Sequence, residues 1–305
     1  MFVADAHCDA LFRLLEDPAC ACCVTRRALE RGGVGVQAFA LFAGNDGCAR
    51  FARAQQMLQA LEKTGVPLLR GRLPAAPPEG AHAVVTVEGG ELFEGDLNNL
   101  RALDERGRVR MLGLTWNFEN ELGYPAMGGG AGGLKPKGRA FVREMGRLGV
   151  IADVSHLNEA GFWEVCERSA LPPAASHSNC RWLCDVPRNL RKEQARAVIE
   201  RGGFIGINFY AGFLREDNRA QMDDVVRHID ALMELGGEKC VGFGSDFDGI
   251  SAHPAGLASP ADFPAVLDAL SRRGYTREQV ADIAGLNLYR LLLLADRARK
   301  SAGEI

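Results

Sequence analysis

Short β-rich runs alternate with longer stretches of helical periodicity along this chain, and that alternation limits the fold more than any other feature. The runs cover residues 2–7, 35–42, 83–88, 110–115, 150–155, 173–177, 204–208 and 240–246. They are rich in Val, Ile, Phe and Ala and often nearly continuous in apolar residues, as strands buried on both faces of a parallel sheet should be. Between them Phe51, Ala54, Leu58 and Leu61 recur at three and four residues, as do Met222, Val225, Val226, Ile229 and Leu232. Each set gives a helix one apolar face. Pro136 opens a further helix, with Phe141, Met145 and Leu148 on its apolar side and Gly149 just past its end. Asn158 and Thr276 stand where N-caps belong. Strands separated by helices imply parallel crossovers, and eight of them favour a closed (β/α)8 barrel of the TIM type over an open doubly wound sheet.

One such barrel takes roughly 250 residues, so residues 1–305 are expected to form a single barrel domain with decorations. A net charge of -3 argues against an electrostatic nucleic-acid binder. The longest apolar patch, 291–295, is too short to span a bilayer. The start, Met1-Phe2-Val3-Ala4-Asp5, lacks the basic-then-apolar pattern of a secretory leader. Nine cysteines cannot all pair within one chain. Cys20, Cys22 and Cys23 cluster, but no second group lies at zinc-ribbon spacing. Reduced thiols and a soluble protein of the cytoplasm, with no membrane partner, are therefore expected. The glycine-rich run 128–133 follows the fourth strand and reads either as a flexible lid or as a surface loop. It does not lead from a strand into a GxGxxG helix start, so it is not a nucleotide fingerprint.

The chain has six histidines: His7, His82, His156, His177, His228 and His253. His7, His156 and His177 lie at, or one residue past, the C-terminal end of a predicted strand. In a barrel those ends converge on one mouth, where catalytic groups collect. Side chains alternate along a strand, so in Asp5-Ala6-His7-Cys8-Asp9 an imidazole and a carboxylate share one side and can bind one divalent metal. Glu88, in Val87-Glu88-Gly89-Gly90, ends the third strand. Its two oxygens can bridge two cations, while the glycines let the backbone turn sharply. His7, Asp9, Glu88, His156 and His177 together offer mixed nitrogen and oxygen donors without thiolate, which suits two zinc ions, with manganese or cobalt also compatible. Two cations about 3.5–4 Å apart can hold a hydroxide and polarise a substrate carbonyl. Asp246, in Gly244-Ser245-Asp246-Phe247-Asp248-Gly249, is then placed as general base and acid, with Asp248, of the same parity, as the alternative. His82 opens the third strand at the opposite barrel end, His228 falls in a helix and is expected to be solvated, and His253 follows in the last strand's loop.

These residues resemble the membrane (renal) dipeptidase family, the M19 zinc peptidases, nearly end to end. Asp153-Val154-Ser155-His156, Ser176-His177-Ser178, Arg188-Asn189 and Asn208-Phe209-Tyr210 join the motifs above as landmarks, and their joint order is far more specific than any one alone. The resemblance implies a metal-bridged barrel that hydrolyses dipeptides, including those with a C-terminal D-residue. It implies that His7 and Asp9 hold one zinc, His156 and His177 the other, and Glu88 both. It also implies that Arg188 grips the substrate carboxylate, a job that suits a planar guanidinium. Tyr210 matches a tyrosine of the same pocket, and Asp246 the acid that passes a proton to the leaving amine. Without the resemblance Arg188 reads as a helix-start surface residue and Tyr210 as core. One departure stands out: where animal members carry a histidine, Leu114-Thr115 is followed by Trp116. Trp donates one hydrogen bond but does not titrate, which leaves Asn117 or Asn120 as candidates for the oxyanion. A homodimer is common in that family. Two other readings compete. A general amidohydrolase acting on N-acyl amino acids or lactones usually shows HxH on strand one and a bridging lysine on strand four, neither of which appears here. A metal-binding member without turnover is the other.

Overall fold

Every pairing between the apolar runs is parallel, and the computed structural model, which describes residues 1–44 and 50–299, closes them into a barrel in sequence order. The strands are β1 (Val3–Asp5), β2 (Val34–Phe42), β3 (His82–Glu88), β4 (Val109–Gly113), β5 (Ile151–Asp153), β6 (Ala174–Ala175), β7 (Phe204–Ile207) and β8 (Val241–Phe243). All eight predicted runs are present, but most strands stop short of the predicted C-terminal end. The cause is a change of hydrogen-bond partner. Ser176 N–H donates to Asp153 Oδ1 (2.9 Å) and His177 N–H to Ser155 Oγ (3.1 Å), and Ser245 N–H goes to Asp5 Oδ1 (2.8 Å). Side chains thus replace the strand ladder at the barrel mouth, and the backbone amides stay satisfied. His156 and Asp246 then adopt left-handed φ values of 65° and 63°, turning the chain off the barrel at two of the expected site residues.

Helices fill the crossovers as the periodicity requires. Arg50–Lys63 buries Ala54, Met57, Leu58 and Leu61, and Met222–Met233 buries Val225, Val226, Ile229 and Leu232. The Pro136–Leu148 helix ends on Gly149, whose φ is +63°. A Cβ at Gly149 would also meet the Ala295 carbonyl oxygen at 2.5 Å, so both the turn and the close approach of the last helix call for glycine. Asn158 and Thr276 are N-caps, accepting from Gly161 N–H (2.9 Å) and Gln279 N–H (3.2 Å). Asn158 does a second job: its Nδ2 donates to the carbonyls of Gly130 and Gly132, each at 2.9 Å. The glycine-rich run is therefore tethered to the N-cap of the helix that follows β5.

A smaller apolar cluster joins Ala4, Val36, Val84, Met111, Ile151 and Phe204 of the barrel to Leu288, Tyr289 and Leu292 of the last helix, Asn287–Ala298. The same helix supplies a buried charge. Asp296 accepts from Arg108 Nη2 (2.8 Å), from Arg110 Nη1, and from Leu73 N–H (2.7 Å). Burial, with the charge of Arg108 beside it, lowers the Arg110 pKa to about 10. Asp296→Ala would leave two buried guanidiniums without this partner, so it is expected to destabilise the fold by about 3–5 kcal/mol. Urea unfolding monitored by circular dichroism reads this directly, and a loss below about 1 kcal/mol, the range of a weak surface pair, would show the network to be dispensable.

Among the described residues no helix is long and apolar enough to cross a membrane. The eight described cysteines are all free, and Cys48 lies outside the described residues. Cys20 Sγ and Cys22 Sγ approach to 2.9 Å, and among the described residues no further metal-ligating group completes a set of three with them.

Candidate active site

Five side chains converge at the C-terminal mouth, delivered by the ends of β1, β3, β5 and β6. His7 Nε2 stands 3.5 Å from both Asp9 Oδ2 and Glu88 Oε2 and 3.7 Å from Asp246 Oδ1. Glu88 Oε1 lies 2.8 Å from His156 Nε2 and 3.4 Å from His177 Nε2, which are themselves 3.0 Å apart. One Glu88 oxygen thus faces His7 and the other faces the two later histidines. Cys8, between His7 and Asp9, bridges to Phe247 and is buried in the core, as strand alternation requires.

The donors fit divalent cations. His7 Nε2 and Asp9 Oδ1 are buried with no hydrogen-bond partner, and neighbouring ligand atoms fall into two compact groups, His7–Glu88–His177 and His7–Asp9–Asp246. Buried polar atoms in native folds are normally satisfied, so orphans within a cage of imidazoles and carboxylates point to an ion. His156 Nε2 and His177 Nε2, 3.0 Å apart, are close enough to serve one cation. Thiolates are absent from the cage, so the set is one for zinc, manganese or cobalt rather than for soft metals.

The electrostatics describe the same crowding. Burial alone would depress the His7 pKa, but the charges of Glu88 and Asp9 outweigh it and hold that pKa well above the ordinary value. Burial pushes Glu88 up, yet His7 and His156 hold it well below. Asp246 is pushed well above its usual range by burial, against the pull of His7, with the charges of Asp9 and Glu88 adding to the rise. His156 is lowered to about 4 by burial and by the charge of Arg188. Carboxylates this close need positive charge among them.

Asp246 Oδ2 accepts from Asn208 Nδ2 at 2.8 Å, which aims the other oxygen toward His7. Asp248, the alternative base, is engaged elsewhere. Its carboxylate accepts from Cys23 N–H (2.9 Å) and Val24 N–H (3.0 Å) and caps that loop. Gly249 packs between the acids, and a Cβ there would sit 2.0 Å from Asp9 Oδ2 and 2.6 Å from Asp246 Oδ1. Gly249→Ala should therefore keep the barrel but displace both acids, weakening metal retention about tenfold or more by competition with a chelator. Unchanged retention would show that the loop can yield.

Around the cage opens a cavity of about 600 Å³, lined among others by Phe42, Trp116, Asn117, Arg188 and Tyr210. Arg188 is only 4% exposed, which corrects the surface reading drawn from its position before a helix. It donates to the His177 carbonyl (3.2 Å) and Ser178 Oγ (3.4 Å) and lies over the Phe213 ring, but no acid pairs with it among the described residues. Tyr210 is half-buried in the cavity wall rather than core. Trp116 packs between Phe42 (4.8 Å) and Phe118 (5.5 Å). Asn117 Oδ1 contacts His156 Nδ1 at 2.9 Å. Asn120 is engaged in its own loop: Oδ1 accepts from Leu122 and Gly123 N–H, while Nδ2 donates to Leu114 O and Glu91 Oε2.

The other three histidines lie outside the cage. His228 is buried, not solvated: Nδ1 accepts from Cys180 N–H (3.0 Å) and Nε2 meets the Leu214 carbonyl (3.2 Å). His82 contacts Gly80 O at the barrel's far end, and His253 stacks on Phe247. Sequence reasoning passed over Asp5, Gln37, Asp153, Ser176, Asn208 and Ser245 as working parts. The available signal was polar residues inside runs otherwise apolar, such as Gln37 within β2.

The family described as membrane dipeptidase (peptidase family M19) matches residues 74–304. An uncharacterized Klebsiella pneumoniae protein is 36% identical over 68% of this chain and 80% of its own length. Two longer fission yeast proteins, both named uncharacterized dipeptidases, are matched over about half of their length. The structure of a Rhodobacter sphaeroides metallopeptidase, bound to a phosphinate mimic of the dipeptide L-Ala-D-Ala, superposes with a TM-score of 0.85 at 28% identity, covering 96% of this chain and 98% of that one. A second metallopeptidase of family M19, dipeptidase AC, gives 0.85 at 30% identity with the same coverage.

Proposed function

The chain belongs to the membrane dipeptidase family, peptidase family M19, and from that premise we propose that it is a two-zinc dipeptidase that also accepts a D-residue at the C-terminal position. One observation carries the reading: Arg188, a buried guanidinium that forms no ion pair among the described residues, opens onto the same cavity as the Glu88-centred donors. An unpaired buried cation calls for an anionic ligand, and a dipeptide brings a carboxylate next to its scissile bond. Acceptance of a C-terminal D-residue is supported by the ligand of the Rhodobacter sphaeroides relative.

His7 and Asp9 would hold one cation and His156 and His177 the other, with Glu88 shared. When bound, the pair supplies an activated water and a Lewis acid for the carbonyl. Arg188 orients the substrate by its carboxylate, with Tyr210 beside it. Asp246 accepts the proton of the attacking water and returns it to the leaving amine, held in aim by Asn208. Asn117, whose Oδ1 is turned to His156, keeps Nδ2 for the oxygen on which charge develops, and Trp116 walls that side with an apolar face. The free thiols support a reducing, cytoplasmic setting. Family membership supports one catalytic domain and a homodimer, which sedimentation would test.

Metal analysis beside a substrate panel tests the proposal. Two equivalents per chain and hydrolysis of L,L- and L,D-dipeptides are expected. Hydrolysis confined to N-acyl amino acids or lactones would mark a general amidohydrolase, and metal without turnover a binding protein. Amidating the dipeptide C-terminus removes the partner of Arg188, so kcat/KM should fall about 10²-fold or more, in line with about 3 kcal/mol for an uncompensated buried charge. Equal rates on amide and acid would release Arg188 from this role.

A further inference from the structure

Beneath His177 the hydrogen-bond order fixes which ring nitrogen carries the proton. Asp153, at the end of β5, is buried; its Oδ1 accepts from Ser155 N–H (3.0 Å) and Ser176 N–H (2.9 Å), and its Oδ2 meets the Ser176 hydroxyl. Burial raises the Asp153 pKa, but the hydrogen bonds from Ser176 and Ser155 all favour the ionised form, and an ionised carboxylate only accepts. The single hydroxyl hydrogen of Ser176 therefore points at Asp153, and the serine oxygen turns its lone pairs to His177 Nδ1 at 2.7 Å. That contact is a hydrogen bond only if Nδ1 carries hydrogen. Nε2 is then left with a lone pair, which faces Glu88 Oε1 and His156 Nε2. His156 reaches the same state by a shorter route, because the Asn117 carbonyl oxygen at its Nδ1 also only accepts.

We propose that Asp153 and Ser176 are positioning residues that lock His177 in the Nδ1–H tautomer, so that Nε2 is a ready-made donor to a divalent cation. The proposal rests on the two-metal reading above and extends it to two residues outside the cavity wall. Partners behind a ligating histidine fix its tautomer and ring orientation, and their loss typically costs about 10–100-fold in metal affinity.

The tautomer gives a test that does not depend on turnover. Asp153→Asn keeps the shape but supplies a donor, which would turn the Ser176 hydrogen toward His177 and move the ring proton to Nε2. A comparable exchange in the serine-protease triad is known to produce the wrong tautomer. Long-range proton–nitrogen spectra of metal-free protein labelled with nitrogen-15 histidine read the ring proton, and the same samples are titrated with zinc in a calorimeter. Wild type should show Nδ1–H at His177 and two zinc equivalents. Asp153→Asn should show Nε2–H, and both it and Ser176→Ala should bind one equivalent about 10–100-fold more weakly, while Ser176→Thr, which keeps the hydroxyl, should stay close to wild type. Nε2–H at His177 in the wild type, or undiminished zinc binding by Asp153→Asn and Ser176→Ala, overturns the proposal. Should Asp153→Asn fail to fold, the Ala and Thr variants at Ser176 decide between hydroxyl and packing. A wild type that takes up no zinc overturns the two-metal reading instead, and the spectra then judge the tautomer alone.

Discussion

Asp246→Asn is expected to lower kcat by about 10²–10⁴-fold, the usual contribution of a positioned acid–base group, while zinc content stays at two equivalents. Asn has nearly the volume of Asp and its carbonyl oxygen can still turn to the cage, so the donors around His7 need not move. What it lacks is the ability to take a proton from water and hand it on. The neighbourhood shows that this oxygen is placed rather than incidental: Asn208 binds one side of the carboxylate, the left-handed turn at Asp246 re-aims the other, and Asp248 is tied to the loop at Cys23 and Val24. Kinetics paired with metal analysis on one preparation separate the cases. Full activity with full metal would remove Asp246 from proton transfer, and lost metal would make it chiefly a ligand.

An effect of comparable size, on binding as well as turnover, is expected at Glu88, because its two oxygens face different groups of donors. Glu88→Gln keeps the length but deletes the negative charge between two cations and replaces one acceptor by a donor. Removing one member of a buried charge cluster costs about 3–5 kcal/mol, which corresponds to about 10²–10⁴-fold in affinity. Zinc titration should show at least one equivalent weakened by that factor and turnover lost with it. Two tightly held equivalents in the variant would mean that Glu88 is not shared between the ions.

How far the residues alone could lead is clear from particular elements. Continuous apolar runs located every strand, since burial on both faces leaves little room for other residues, and strand ends located the five side chains that converge at the mouth. The ends themselves were misjudged because Asp5, Asp153 and Ser155 take over the hydrogen bonding of Ser245, Ser176 and His177, an exchange between segments far apart in the chain. His228 was legible in principle: it lies three residues after Val225 and four before Leu232, on the buried helix face. Arg188 was not, because its burial is created by Phe213 and the His177 carbonyl, which only the closed barrel brings to it. Asn120 looked free for catalysis for the same reason; its four partners lie in the loop's own folded path and in Glu91 after β3.

Anomalous diffraction from crystals grown with zinc measures the central claim most directly. Two peaks are expected at the barrel mouth, one beside His7 and Asp9, the other beside His156 and His177, with Glu88 between them. A single peak, or peaks at other groups such as the Cys20–Cys22 thiols, would contradict the account.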